Sequence, residues 1–219
     1  MKQFFRNNSL SIVLFALFFV FLIALAIVGF FHENEELAMH GWPAVSFFEY
    51  ITGGSFIEAV FENWESEFLQ MGALVILTIW LVQKGAPDSK KLRGRDDVDT
   101  APRYSVLRAS SWATRKKAIA EMLYANSLSI ALFLLFVLSF ALHAVGGVNA
   151  ANQEAIFHNQ PTMSVWQYIG SSQFWFESFQ NWQSEFLAVG ALLILSIFLR
   201  QRGSPESKAI GEPNTKTGS

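Results

Sequence analysis

The sequence predicts an all-α integral membrane protein with four transmembrane helices, arranged as two parallel two-helix repeats, plus short interfacial helices. Three observations lead to this prediction: long apolar runs, a one-sided distribution of Lys and Arg, and a repeat of the whole pattern at a fixed offset. Of the 219 residues, 52% are hydrophobic and 22 are Phe. Soluble domains rarely hold so many apolar residues in uninterrupted blocks.

Four apolar runs are the predicted spans. Ser9–Phe31 and Ser127–Val148 contain 23 and 22 residues without a full charge, and about 20 helical residues cross a hydrocarbon core of about 30 Å. The other two runs, Phe68–Val82 and Phe186–Leu199, are shorter, but each follows a more polar helical stretch that can complete the crossing. Because lipid offers no hydrogen-bond partners to the backbone, all four are expected to be helices. The first run is too long for a secretory leader, so we interpret it as a retained span.

The basic residues set the predicted topology. All 16 Lys and Arg precede the first run, lie between the second and third, or follow the fourth, while segments 32–62 and 149–180 contain none. Because Lys and Arg near spans stay in the cytoplasm, both termini are expected there. Eleven of the 18 acids then face outward or lie at the outer boundary. Topology alone permits this, and the alternative is an outer vestibule that attracts cations.

The chain repeats itself at an offset of 118 residues. Aligning 8–90 with 126–208 gives 38 identities in 83 positions, including Asn-Ser-Leu-Ser-Ile at each start and Asn-Trp-x-Ser-Glu-Phe-Leu further on. Each copy holds an even number of spans, so the copies run parallel, as in a fused dimer.

The repeat divides the chain into four predicted parts. They are a first two-span repeat at 1–90, a cytoplasmic basic linker at 91–125, a second two-span repeat at 126–202 and a disordered cytoplasmic tail at 203–219. In the linker, Trp112, Ile119 and Leu123 recur at helical spacing beside Arg115, Lys116 and Lys117. This pattern indicates either an amphipathic helix that contacts anionic lipid or an ordinary charged linker.

A polar stripe marks the second helix of each repeat. Ser55 and Glu58 form a capping-box pattern, so this helix should begin near residue 55. If it runs on to Gln83, it is about 43 Å long and exceeds the hydrocarbon thickness. The stripe residues proposed for an ion or proton pathway are Asn63, Ser66 and Glu67 in the first copy and Asn181, Ser184 and Glu185 in the second. Acids at this depth are costly and often functional, although a Glu early in a helix also complements the helix dipole.

Three histidines are further candidates. His143 lies inside a span at about the depth of Glu67, where a contact between them is available; the simpler alternative is a hydrogen bond to a neighbouring backbone or hydroxyl group. His40 and His158 occupy equivalent loop positions. They are weak candidates for a metal site, because neither copy has compact ligand spacing, and a surface or turn role is simpler.

Other classes of function find no support in the sequence. With no Cys there is no thiolate metal site or thiol nucleophile, and we find no phosphate-binding glycine loop, zincin motif or hydrolase motif. We therefore expect no enzyme, no cofactor and no nucleic-acid partner. The aromatic segments 42–62 and 160–180 are expected to be interfacial helices, or else re-entrant hairpins.

The duplicated pattern resembles a bacterial family of small integral membrane proteins of unknown function. The resemblance rests on two Asn-Ser-Leu-Ser span starts, two Asn-Trp-x-Ser-Glu-Phe-Leu segments and two Gly-x-Pro-x-Ser-Lys exits. It implies a multi-pass protein of the bacterial inner membrane and supplies no activity. Two hypotheses remain: a small channel or transporter for an ion, proton or small solute, and a non-catalytic scaffold or accessory subunit. Either is compatible with a homo-oligomer in the lipid bilayer.

Overall fold

The computed structural model describes residues 2–94, 96–99 and 118–218, and every regular element in these ranges is helical. The helices are α1 (Lys2–Asn7), α2 (Ser9–Met39), α3 (Phe47–Ile51), α4 (Gly54–Trp80), α5 (Ala118–Ala125), α6 (Ser127–Phe157), α7 (Val165–Ile169) and α8 (Ser172–Phe198), with one 3₁₀ turn at Asp97–Asp99. The all-α prediction is confirmed. The bounds of α2, α3 and α4 recur in α6, α7 and α8 after the same offset of 118 residues that relates the sequences.

Among the described residues, three helices are long and apolar enough to cross a membrane, namely α2, α6 and α8. The sequence predicts four, and α4 is the helix that falls short. It has the same 27 residues as α8, but it is less apolar, since Gln70 stands where α8 has Ala188 and Trp80 where α8 has Phe198. The helix ends at Trp80, before the end near Gln83 that the sequence predicts.

The chain folds into two compact units whose boundaries differ from those of the sequence repeat. A first unit comprises Met1–Phe61 and Ala141–Phe174, and a second comprises Glu62–Phe140 and Trp175–Ser219. The four predicted parts of the chain stay a prediction. In the linker, α5 begins at Ala118, whereas Trp112, Arg115, Lys116 and Lys117 lie outside the described residues.

In the first unit, α2 and α6 end in the same way. After α2, Gly41 has φ 71°, and the N–H of Trp42 donates to the carbonyl of Leu37 at 2.9 Å. These are the marks of a Schellman ending, in which a left-handed residue lets the chain turn back on the last helical carbonyls. After α6, Asn159 takes the left-handed role with φ 53°, since Asn tolerates this conformation best after Gly.

An asparagine then fixes the returning chain against each helix. The Asn34 side chain accepts from the N–H of Val45 at 2.8 Å and donates to its carbonyl at 3.2 Å. Asn152 holds Met163 in the same two-point way, at 2.7 and 2.9 Å. Both polar groups of a loop residue are thus satisfied, and each loop has a defined position at the end of its long helix.

The short helices α3 and α7 begin with capping boxes and bring a tyrosine onto a glycine. Ser46 and Glu49 cap α3, and Ser164 and Gln167 cap α7. Tyr50 packs so closely on Gly29 that a Cβ there would clash with its hydroxyl, and Tyr168 packs on Gly147 in the same way.

In the second unit, the segment after α8 is turn-rich and has defined contacts. The Arg200 guanidinium donates to the Glu212 carbonyl and to the Asn214 side chain, both at 2.9 Å. Thr217 accepts from the N–H of Gly85 at 2.8 Å. These hydrogen bonds lie in a segment for which the composition predicts disorder.

Gly29→Ala is expected to destabilise the protein because its Cβ would clash with the Tyr50 hydroxyl. Overpacking of this kind costs about 1–3 kcal/mol, measurable as a lower unfolding temperature in detergent. Tyr50→Phe should restore much of this loss, since the nearest remaining atom, Cζ, lies 3.0 Å away. Gly190→Ala is the control, because nothing lies within 4 Å of its Cβ. Equal stability of the Gly29 and Gly190 variants would contradict this packing.

The capping box of α3 should weaken at low pH because it contains the carboxylate of Glu49, whereas that of α7 contains the uncharged Gln167 and should not. The Ser46 backbone N–H donates to the Glu49 carboxylate at 2.7 Å, and this bond, aided by the Ser46 hydroxyl, lowers the pKa of Glu49 below its usual 4.5. A lowered pKa adds stability above pH 4.5 that is lost as the pH falls through the folded-state value. Hydrogen exchange corrected for its intrinsic rate should therefore rise in 46–52 below pH 4.5 relative to 164–170. Glu49→Gln, the residue type present at Gln167, should remove the difference, and a difference that persists would refute the assignment.

Candidate functional site

The first unit contains a cleft of about 310 Å³ between residues of α2, α4 and α6. Its titratable lining residues are Glu33, Glu36, Glu58, Glu154, His40 and His158, and its lining includes no Lys or Arg. Four carboxylates with no Lys or Arg among the described lining residues create a negative potential, which a concave surface strengthens. The cleft is therefore suited to cations.

An aromatic stack forms one wall of the cleft. The Trp42 ring lies 4.7 Å from that of His40 and 4.1 Å from that of Phe157, nearly parallel to both. The His158 ring meets Trp42 edge-on at 5.3 Å. As a result, the ring centroids of His40 and His158 are 6.3 Å apart. The structure thus brings these two weak candidates together, although the sequence left their separation open.

Glu58 lines the cleft and also reaches a buried histidine. Its carboxylate accepts a hydrogen bond from the Tyr168 hydroxyl at 2.8 Å, and a carboxylate oxygen lies within 4.8 Å of a ring nitrogen of His143. His143 is fully buried and stacks on Phe174 at 4.8 Å. Within the first unit, the acid near His143 is therefore Glu58, whereas the sequence indicated a contact with Glu67 as one of two alternatives.

Glycines make this approach possible. A Cβ on Gly146 would lie 2.5 Å from the backbone nitrogen of Glu58, and a Cβ on Gly54 would clash with the backbone nitrogen of Ala150. The start of α4 and the middle of α6 therefore meet backbone to backbone. The sequence would have indicated this contact only if Gly54 and Gly146 had been recognised as lying opposite each other on two packed helices.

In the second unit, the polar segment of α4 is arranged differently from the predicted stripe. Glu65 is fully buried and accepts a hydrogen bond from the Trp182 indole at 2.9 Å, and Glu62 accepts from the Asn181 amide. Glu67 is exposed, and its charge interacts with that of Glu185. The two predicted acids are therefore within electrostatic range of each other, but the fully buried acid of this segment is Glu65.

The serines of the stripe bond to their own helices. The Ser66 hydroxyl donates to the Asn63 carbonyl at 2.7 Å, and the Ser184 hydroxyl donates to the Asn181 carbonyl at 2.8 Å. Such a bond gives the hydroxyl a partner within its own helix, so it does not require the serine to line an ion or proton pathway.

Comparing the two copies of the repeat could have identified the α4 acids that the sequence analysis did not select. Glu58, Glu62 and Glu65 recur at i, i+4 and i+7 on one face of α4. Their equivalents 118 residues later are Phe176, Gln180 and Gln183, none of them charged. Comparing the copies for differences, instead of identities, would have selected these three acids.

Comparison with known proteins gives a family but no activity. A family model described as "Domain of unknown function (DUF6766)" matches residues 1–219. No curated protein and no solved structure matches the chain. The match agrees with the resemblance to a family of unknown function, so the function must be inferred from the residues.

Glu65→Ala should destabilise the protein because the Trp182 indole N–H loses its acceptor. A buried donor without its partner costs about 1–3 kcal/mol, seen as a lower unfolding temperature in detergent. Glu65→Gln keeps an acceptor oxygen and should lose less. Gln183→Ala, at the exposed equivalent position, should change stability by less than about 0.5 kcal/mol. If both alanine variants behave alike, the buried hydrogen bond is not a stabilising contact.

Proposed function

Since the chain belongs to the DUF6766 family of unknown function, we propose from its own residues that it is a small multi-pass membrane protein that moves a proton or another cation. One observation carries this proposal: among the described residues, a cleft lined by acids and by no Lys or Arg contains a carboxylate, that of Glu58, beside the buried His143. In this proposal the negative potential of the cleft attracts cations from solvent, and Glu58 and His143 bind the transported proton or cation.

Both members of this pair suit proton transfer. A carboxylate and an imidazole each bind and release a proton, and a buried position shields the exchange from bulk water. The Tyr168 hydroxyl, which donates to Glu58 at 2.8 Å, keeps the carboxylate in one orientation without neutralising it. The proposed path runs from cleft water to Glu58 and then to His143. No covalent chemistry is needed, so the proposed role is non-enzymatic.

We further propose that α4 is a fourth crossing and that both termini lie in the cytoplasm of a bacterial cell. If α4 did not cross, the ten basic residues of 84–117 and the base-free segment 32–62 would face the same side. That arrangement would remove the asymmetry that positive-inside insertion produces. In addition, α4 has the same 27-residue length as α8, which is apolar enough to span. Two parallel two-span repeats follow from this topology.

The alternative function, a membrane scaffold or accessory subunit, is favoured by the surface of α2. None of its most apolar 18-residue window is buried, and Phe15, Phe19 and Phe21 are all exposed. Lipid can cover this surface, and so can a second copy or a partner helix. A scaffold requires no cation movement, so flux separates the two functions.

Flux in proteoliposomes tests the proposal. With an imposed pH gradient or membrane potential, wild-type protein should move protons faster than protein-free vesicles. Glu58→Gln keeps an oxygen for Tyr168 but cannot ionise, and should reduce flux at least tenfold. The matched control is Glu35→Gln, which removes an exposed α2 acid that does not line the cleft.

A second comparison separates the two candidate paths. If Glu67 and Glu185 form the gate, the double change Glu67→Gln with Glu185→Gln should abolish flux while Glu58→Gln leaves it intact. Wild-type vesicles no leakier than empty ones, to protons and to monovalent and divalent cations, would refute transport and leave the scaffold function.

A further inference from the structure

We propose that the cleft binds one divalent transition-metal ion of the zinc class through two Glu-x-x-x-His pairs, Glu36 with His40 and Glu154 with His158. The proposal goes beyond the transport function and does not depend on it, since an ion held here can be cargo, regulator or structural cross-link. It concerns equilibrium binding to residues of the first unit alone.

The two pairs supply a zinc-type ligand set. In each, Glu and His are four residues apart, so they lie on one helix face one turn apart. The first pair ends α2 and the second ends α6, at positions related by the offset of 118. All four residues line the same cleft. Two imidazoles and two carboxylates suit Zn²⁺, whereas Mg²⁺ and Ca²⁺ prefer oxygen ligands alone.

A hydrogen bond prepares His40 for a metal. Its Nδ1 lies 2.9 Å from the backbone carbonyl of Glu36. A carbonyl only accepts, so Nδ1 must carry the proton and Nε2 keeps its lone pair. Metal-binding histidines typically use such a bond on the other ring nitrogen to fix the tautomer and the ring orientation.

The spacing of the two rings is close to that of a shared ion. With Zn–N bonds of about 2.0–2.1 Å, two imidazoles at a tetrahedral angle have centroids about 5 Å apart. The centroids of His40 and His158 are 6.3 Å apart, so the two rings must approach by about 1 Å and the two carboxylates must turn toward them. Both side chains are exposed at the ends of their helices, where rotation of the side chain supplies this movement.

The surroundings favour a dication. Trp42 stacks on His40 and meets His158 edge-on, so both rings lie against the same indole. Glu33 and Glu58 add two carboxylates to the lining, and no Lys or Arg there competes with the ion. His32 lies 3.6 Å from the Glu36 carboxylate but does not line the cleft. It is the histidine control on the same helix, and its contact with Glu36 explains why a small effect on binding is expected.

The experiment is zinc binding to the full chain, purified in detergent without a polyhistidine tag. Competition against a fluorescent zinc chelator gives the affinity, and elemental analysis after gel filtration gives the stoichiometry. One Zn²⁺ per chain is expected. His40→Gln and His158→Gln should each weaken binding at least tenfold, whereas His32→Gln should change it less than threefold.

A second set of variants tests the ligands without changing the aromatic stack, so that lost binding cannot be attributed to misfolding of the histidine variants. Glu36→Gln with Glu154→Gln leaves the aromatic stack intact and should also weaken binding at least tenfold. Cobalt(II) replacing zinc should give the intense visible absorption of a tetrahedral site, and either histidine variant should lose it. Three outcomes would overturn the proposal: no zinc bound by wild-type protein, equal losses in the His32 and His40 variants, or two ions per chain, which would indicate two separate surface sites.

Discussion

The backbone contact between α4 and α6 is the constraint on which the candidate site depends. At Gly54 and Gly146 the two helices approach so closely that neither position has room for a Cβ. Glu58 follows Gly54 by one turn, and His143 precedes Gly146 by one turn, so this contact brings the acid beside the imidazole. Small residues commonly give membrane helices such proximity, since lipid supplies no hydrophobic force to join them. In this protein the same glycines determine the chemistry of the cleft lining.

The two aligned segments share the elements that shape the chain and differ in their ionisable groups. Elements that shape the chain occur in both copies: the left-handed ending at Gly41 and Asn159, the asparagine clamp, and the tyrosine seated on glycine. The buried chemistry occurs once. Glu58 and Glu65 correspond to Phe176 and Gln183, and His143 corresponds to Leu25. A structural framework can stay symmetric while a single path runs through it, because a path needs one set of ionisable groups.

The parts of the fold that were predictable from sequence are those governed by local rules. Apolar length indicates the helices, and α4 begins within a residue of the expected Ser55, although the Ser55 hydroxyl donates to the Glu33 carboxylate. Which acid of α4 is buried was not predictable, because Glu65 is selected by the Trp182 indole of another helix. Helical spacing orders residues around one axis but does not say which neighbour faces them. The distance of 6.3 Å between the rings of His40 and His158 was not predictable for the same reason. It depends on how the ends of two different helices are placed.

The partners of the α4 acids explain how these carboxylates remain useful inside the protein. A buried charge needs compensation, and a Lys or Arg would provide it by cancelling the negative charge. The donors that the structure describes include neutral groups, namely the Tyr168 hydroxyl on Glu58, the Asn181 amide on Glu62 and the Trp182 indole on Glu65. Hydrogen bonds to a carboxylate offset part of its desolvation while its negative charge remains. The acids are therefore held in place yet remain attractive to a cation, which is the property that the proposed transport requires. At Glu62 and Glu65 an uncharged glutamine, the residue type of Gln180 and Gln183 in the second copy, would serve a structural role in large part, whereas the equivalent of Glu58 is Phe176.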